Sequence, residues 1–240
     1  MYAREIDGVE YTFGVSGRLL RNMLIMYDHQ TNSEWSQLRG EALTGPLAGT
    51  TLRHLAASQM TWSEWRERFP HTLALDKPAL PIDSYQGYYQ SSRTGVLGWT
   101  VKDPRLYRKE KVIGVVVGDA PTAYAYYSLR QTPVVNDSFN GTHLLVTFVR
   151  STESGAVFDR RVDGMTLTFV EIDGNSDRIE DNETGSEWNK LSGKAVAGPL
   201  AGQSLAKVPF TLAFWFGWSD HYPATRLYDQ EGLIRESVPK

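Results

Sequence analysis

The side chains able to do chemistry are few and scattered. Five histidines occur, His29, His54, His71, His143 and His221. No two stand at the i, i+4 spacing that turns a pair of imidazoles toward one metal ion on a helix. His29 follows Asp28, and an adjacent carboxylate can orient an imidazole as a general base; the polar run from Asp28 to Ser33 equally suits a solvated turn. A second polar constellation is Asp159-Arg160-Arg161-Val162-Asp163, where two carboxylates flank two guanidinium groups, the composition of an Arg–carboxylate site. The same residues, closed by Gly164, have the chemistry of a charged β-turn. Ser16 sits in Gly14-Val-Ser-Gly17, which lacks the Gly-x-Ser-x-Gly spacing of a nucleophile elbow. There is no cysteine, so disulfides, thiolate metal sites and cysteine nucleophiles are excluded. The residues therefore assign no catalytic, metal-ligating or cofactor-binding set, and no cofactor is expected.

The elements that would position these groups are written twice. Thr31 to Gly49 returns as Thr184 to Gly202 without a gap, at an offset of 153 (184 minus 31), with a shared Glu-Trp and a shared Gly-Pro-Leu-Ala-Gly. Those glycine loops lack the Lys-Ser/Thr of a phosphate cradle and read as tight turns. Glu34 and Glu187 occupy matching positions, each expected to satisfy a strand or loop amide. Alternating residues 9–15 and the runs Leu24–Tyr27 and Glu34–Leu38 read as strands. Thr61 to Pro70 reads as a helix with a Thr61/Glu64 capping box and a proline stop. Trp62, Trp65 and Phe69 share one face of it and are expected in the core, as are Trp215 and Trp218 at the matching positions. Residues 77–104, rich in Pro, Tyr and Ser, read as a linker. Val112–Val117 and Thr122–Tyr127 form a hairpin about Gly118-Asp119, and His143–Val149 and Ala156–Phe158 continue the β pattern, with turns at 154–155 and 163–164. The predicted class is mostly β (α+β): compact antiparallel strands with turns, one short Trp-bearing helix per unit, in tandem repeat.

Composition narrows the partners. A net charge of −3 gives no concentrated basic face for nucleic acid; the run Arg105–Lys111 reads as a solvated loop before a strand. No apolar run approaches the roughly 20 residues of a membrane span. As written the chain reads as soluble, its compartment unknown, with export open if a signal peptide lies upstream of Met1.

Several motifs in order resemble one family: Phe158-Asp-Arg-Arg-Val-Asp-Gly164, Phe13-Gly-Val-Ser-Gly17, Leu24-Ile-Met-Tyr-Asp28, Trp35-Ser-Gln37, the Gly-Pro-Leu-Ala-Gly loops, and Val134-Val-Asn-Asp137. It is the prokaryotic family called domain of unknown function 3179. The resemblance covers most of residues 4–76 and 105–228. It implies that 105–228 is a complete unit, that 1–76 is the C-terminal half of another, and that 229–240 is a tail. It also implies a loss. The family's two cysteines fall on Val149 and Thr152, and its His-Glu pair on Thr132 and Pro133. A dithiol beside a histidine binds soft metals or runs redox chemistry; Val, Thr and Pro do neither.

The resulting expectation is a non-catalytic tandem β-rich module with a binding or structural role and an unknown ligand. The alternative is a fragment of a metal-linked or thiol-redox enzyme whose cysteine-bearing half lies upstream of Met1. Open strand edges in residues 9–38 are expected to seek a partner, favouring self-association.

Overall fold

The computed structural model describes residues 1–76, 85–172 and 177–228. Lys77–Pro81 and the tail 229–240, which the sequence assigns to a linker and a terminus, lie outside the described residues. The class is mostly β, built from short antiparallel strands. The first meander orders Phe13–Leu20, Met23–Asp28, Glu34–Ser36 and Ala42–Thr44, each antiparallel to the next. The second orders Phe169–Glu171, Arg178–Asp181, Glu187–Asn189 and Ala195–Ala197 in the same way.

The two meanders agree atom by atom. A two-residue hairpin precedes each, turning at Asp7-Gly8 (φ 50° and 79°) and at Asp163-Gly164 (φ 49° and 81°), the left-handed pair that a tight hairpin requires. Thr31 N–H and Oγ1 bond the Asp28 carboxylate as Thr184 bonds Asp181. Ser33 Oγ accepts the Leu47 N–H at 3.1 Å, and Ser186 Oγ accepts that of Leu200 at 3.0 Å. Gly45 and Gly198 let the Pro-Leu-Ala loop close on this serine: a Cβ at either position would meet the serine Cα at 2.7 and 2.6 Å, and both have φ near +87°. Phe13 meets Trp35 edge-on at 5.6 Å, Phe169 meets Trp188 at 5.8 Å.

Residues 105–159, joined by strands from 206–228, build two sheets that have no counterpart in 1–76. One orders Ala206–Lys207, Ser154–Asp159, Thr142–Val149 and Val134–Phe139. The other orders Thr211–Phe214, Lys111–Val117, Ala120–Ala125 and Arg226–Tyr228, the last pairing in parallel. Three sequence expectations are corrected here. The strand predicted over Thr122–Tyr127 ends at Ala125, and Tyr126–Gln131 is a helix. The turn expected at Ser154-Gly155 falls instead at 150–153, because Ser154 already pairs with Val149. The linker also carries a short helix, Gln86–Gln90.

The helices show what the added sheets do. Trp62–Arg68 is capped by Thr61, whose Oγ1 accepts the Glu64 N–H at 3.3 Å. Yet Trp62 is 53% and Phe69 48% exposed, against the expectation of a buried aromatic face. In the matching helix Trp215–His221, Trp215 and Trp218 are fully buried. The reason is Lys111–Val117 and its neighbours: Val112, Ala123, Ala125 and Leu227 pack around both indoles. Gly114 gives Trp218 its seat, since a Cβ there would lie 2.2 Å from the ring.

The two halves touch directly. Arg21 donates to the Asp220 carbonyl, His221 Nε2 lies 3.2 Å from the Leu20 carbonyl oxygen, and Ser154 Oγ donates to Glu64 at 2.6 Å.

Candidate functional site

The sequence's polar candidates are committed to the scaffold. Asp28 is buried and accepts the Trp35 indole N–H at 2.9 Å as well as the Thr31 donors. Burial pushes its carboxyl up, but these hydrogen bonds outweigh that and hold the pKa below the usual aspartate value. His29 lies in the turn that follows the strand; it is exposed, its ring 5.0 Å from that of Tyr27. The structure therefore separates the two. Asp159 is held by Arg161 through the backbone N–H and the guanidinium, which lowers its pKa. Arg160 turns back to the Leu167 carbonyl at 2.7 Å, and Asp163 accepts a 3.3 Å bond from Gln203. Ser16 donates to the Ile25 carbonyl. Glu34 and Glu187 meet arginines, Arg18 and Arg178, rather than amides. The run Arg105–Lys111 is paired to carboxylates outside it, with Arg105 on Asp103 and Lys111 on Glu153.

Val134-Val-Asn-Asp137 proves equally occupied. Asn136 grips both main-chain groups of Phe169, accepting its N–H at 2.8 Å and donating to its carbonyl at 2.7 Å. Asp137 accepts from Tyr124 Oη at 2.6 Å and pairs with Arg226. Thr132, Pro133, Val149 and Thr152 lie close together: Pro133 accepts the Phe148 N–H at 2.8 Å, and Thr132 ends the helix Tyr126–Gln131. Val149 is buried in the core. Thr152 is not satisfied: its hydroxyl is buried and lacks a hydrogen-bond partner among the described residues.

Thr152 itself, though not this enclosed hydroxyl, lines a cavity of about 990 Å³ between the first meander and residues 105–228. Its origin is a difference in cover. In the second meander, Trp188, Ala195 and Leu205 share a cluster with Leu145, Val149 and Ala156, which arrive on the strands Thr142–Val149 and Ser154–Asp159. In the first, the matching Trp35, Ala42 and Leu52 are the fully buried members of their cluster, with no such strands above them. Lys190 shows the contrast at one position: its carbonyl accepts from Thr147 of the covering strand at 2.5 Å, whereas the matching Gln37 faces the cavity. The rest of the wall includes Tyr2, Leu38 and His54 from the first half, and Lys111, Tyr126, Glu153 and Phe214 from the second. Met1, Met23, Met26 and Met60 also line it, four of the five methionines of the chain. Flexible thioethers adapt to irregular shapes and recur at adaptable binding surfaces.

Charged groups gather at one end of the cavity. Glu153 lies between Arg130 at 2.5 Å and Lys111 at 3.1 Å, and the Arg130 hydrogen bond, with help from Lys111, holds its pKa down. Burial pushes the Tyr126 phenol up to about 12, so it stays protonated as a donor. Burial first, and the Met1 amine second, bring His54 down to about 4, so the imidazole is neutral at pH 7. Among the described residues no group of three or more His, Cys, Asp or Glu side chains could hold a metal ion, and no helix is long and apolar enough to cross a membrane.

A family model described as a protein of unknown function (DUF3179) matches residues 1–233. The chain belongs to that family. No curated protein and no solved structure matches it. The DUF3179 match runs through both halves, so the cavity and all its lining residues lie inside it. The cavity residues carry no spacing that sequence reasoning would flag. The concentration of methionine in the first 60 positions is the one signal that could have pointed to them.

The His54 shift has a stability consequence. The unfolded imidazole titrates near 6.5 and the folded one near 4, so the unfolded chain binds the extra proton in between, and stability falls as pH drops through that window. His54→Gln is expected to flatten the dependence of the urea midpoint on pH between about 6.5 and 4, and the His54 Cε1–H resonance should titrate well below the ordinary histidine range.

Proposed function

We propose that this chain is a non-catalytic, ligand-holding member of the family, in which the second half of a family unit (residues 1–76) is set against a complete but degenerate unit (residues 105–228), with residues 77–104 as the linker. The repeated frame of Asp, Thr, Ser, Trp and Gly contacts supports the tandem reading. One observation carries the functional reading: the face that Leu145, Val149 and Ala156 close in the second meander opens, in the first, on a methionine-lined cavity. Sites for small molecules are concave, mostly apolar and edged by a few polar groups. The polar groups elsewhere are spent on the scaffold, which argues for capture rather than turnover.

A second reading has one observation in its favour. Thr152, where the family resemblance places a cysteine, lies on the cavity wall. The cavity then marks where a dithiol-bearing relative would do its metal or redox chemistry, and this chain would be part of such an enzyme.

A cysteine-free chain makes the cavity directly testable. Ser58→Cys, half-buried on the cavity wall, should react with a small methanethiosulfonate reagent in the native state within about 10-fold of the unfolded rate, while Val149→Cys, placed in the core, should react only through opening. Equal protection of both thiols would mean that the cavity is closed to solutes.

The strand edge of the first meander supports self-association. Asp28 N–H bonds Ser33 and His29 N–H bonds Thr12, so the Phe13 main-chain groups face outward. At Phe169 those groups are capped by Asn136; no described residue caps Phe13 in that way. Light scattering should give a mass above that of one chain, rising with concentration; a single-chain mass throughout would contradict this.

A further inference from the structure

We infer that the cavity takes a single-chain carboxylate amphiphile: a flexible apolar tail along the methionine wall and an anionic head at Thr152 and Lys111. This rests on the reading of the cavity as the ligand site and names the chemistry of what enters it.

The tail follows from the walls. Met23, Met26 and Met60, with Leu38, Leu212 and Phe214, line the space. These side chains offer dispersion contacts and no fixed polar geometry, so they select for apolar surface and tolerate many tail shapes. A volume of about 990 Å³ exceeds what one short acyl chain fills, so tail length should be weakly discriminated.

The head follows from three groups in sequence and space. Thr152 Oγ1 is enclosed just beneath this wall with no partner; a turn about its χ1 would let it donate to an acceptor seated there and so relieve a buried, unpaired hydroxyl. Lys111 Nζ has three donors, one of which reaches Glu153 Oε2. The single Glu153 carboxylate is matched by two cations, Lys111 and Arg130, so this end carries one positive charge in excess. The Tyr126 phenol on the same wall stays protonated, and the His54 imidazole is neutral. An acceptor-only anion fits donors and surplus positive charge; an ammonium head would meet Lys111 with no carboxylate to spare.

Titration calorimetry with decanoate and decanol, both short enough to stay monomeric, tests the assignment. Decanoate should bind one per chain and about 10-fold tighter than decanol, the increment expected of a charge-assisted hydrogen bond. Thr152→Val and Lys111→Met should each bring decanoate toward decanol while leaving decanol unchanged. In a [methyl-¹³C]methionine spectrum, decanoate should shift Met23, Met26 and Met60, with the hairpin residue Met165 as the unmoved control. Equal affinity for the two probes would overturn the anionic head. Absence of saturable binding, or a Met165 shift matching the others, would overturn the amphiphile assignment altogether. Native-state labelling of Ser58→Cys reports on the cavity without any ligand, so a failed head group and a closed cavity give different results.

Discussion

A buried aspartate bonded to an indole N–H is the interaction on which each meander depends. Asp28 with Trp35 and Asp181 with Trp188 make it at 2.9 and 2.8 Å, with all four side chains fully buried. A buried charge is tolerable only where donors surround it, and the threonine three residues on supplies both its N–H and its hydroxyl. That threonine positions the serine, the serine receives the glycine loop, and the indole sets the floor of the core. A hydrogen bond to a charged group contributes about 1.5–3 kcal/mol, but its larger effect is to fix strand register, since a slip of one residue would carry the tryptophan to the other face.

The same lock is buttressed unequally in the two meanders. Leu145, Val149 and Ala156 close the second over a cluster of twelve buried residues, whereas the first has three. Each large apolar side chain buried contributes about 1.5–3 kcal/mol, so the first meander leans on the lock and on its contacts to the other half. Arg21 and His221 fasten its hairpin tip, and Glu64 reaches Ser154 from its helix. The cavity is the space this partial cover leaves. A methionine-rich wall is what an apolar face can present when no fixed partner packs on it.

Much of the scaffold was legible in the chain. The repeated Glu-Trp and Gly-Pro-Leu-Ala-Gly, the Asp-Gly turns and the Thr61 cap each encode local geometry, and local geometry survives in any context. What failed was burial. Trp62 and Phe69 have the spacing of a core face, but nothing like Lys111–Val117 covers them. Tyr126 has strand chemistry and begins a helix. The site was hidden for a different reason: Tyr2, Gln37, His54, Lys111 and Thr152 come from distant parts of the chain and meet only through the docking of the two halves. Asp28 beside His29 illustrates the opposite error, since the strand ends between them and leaves one buried and the other exposed in a turn.

The central claim is that two matching frames differ in cover, and the indole N–H groups of Trp35 and Trp188 report it most directly. Both are fully buried and bonded to aspartate, so a difference in their native-state hydrogen exchange measures opening rather than exposure. The account predicts that Trp188 exchanges only with global unfolding and that Trp35 exchanges at least about 10-fold faster, through local opening of the first meander. Equal rates, or a slower Trp35, would contradict it.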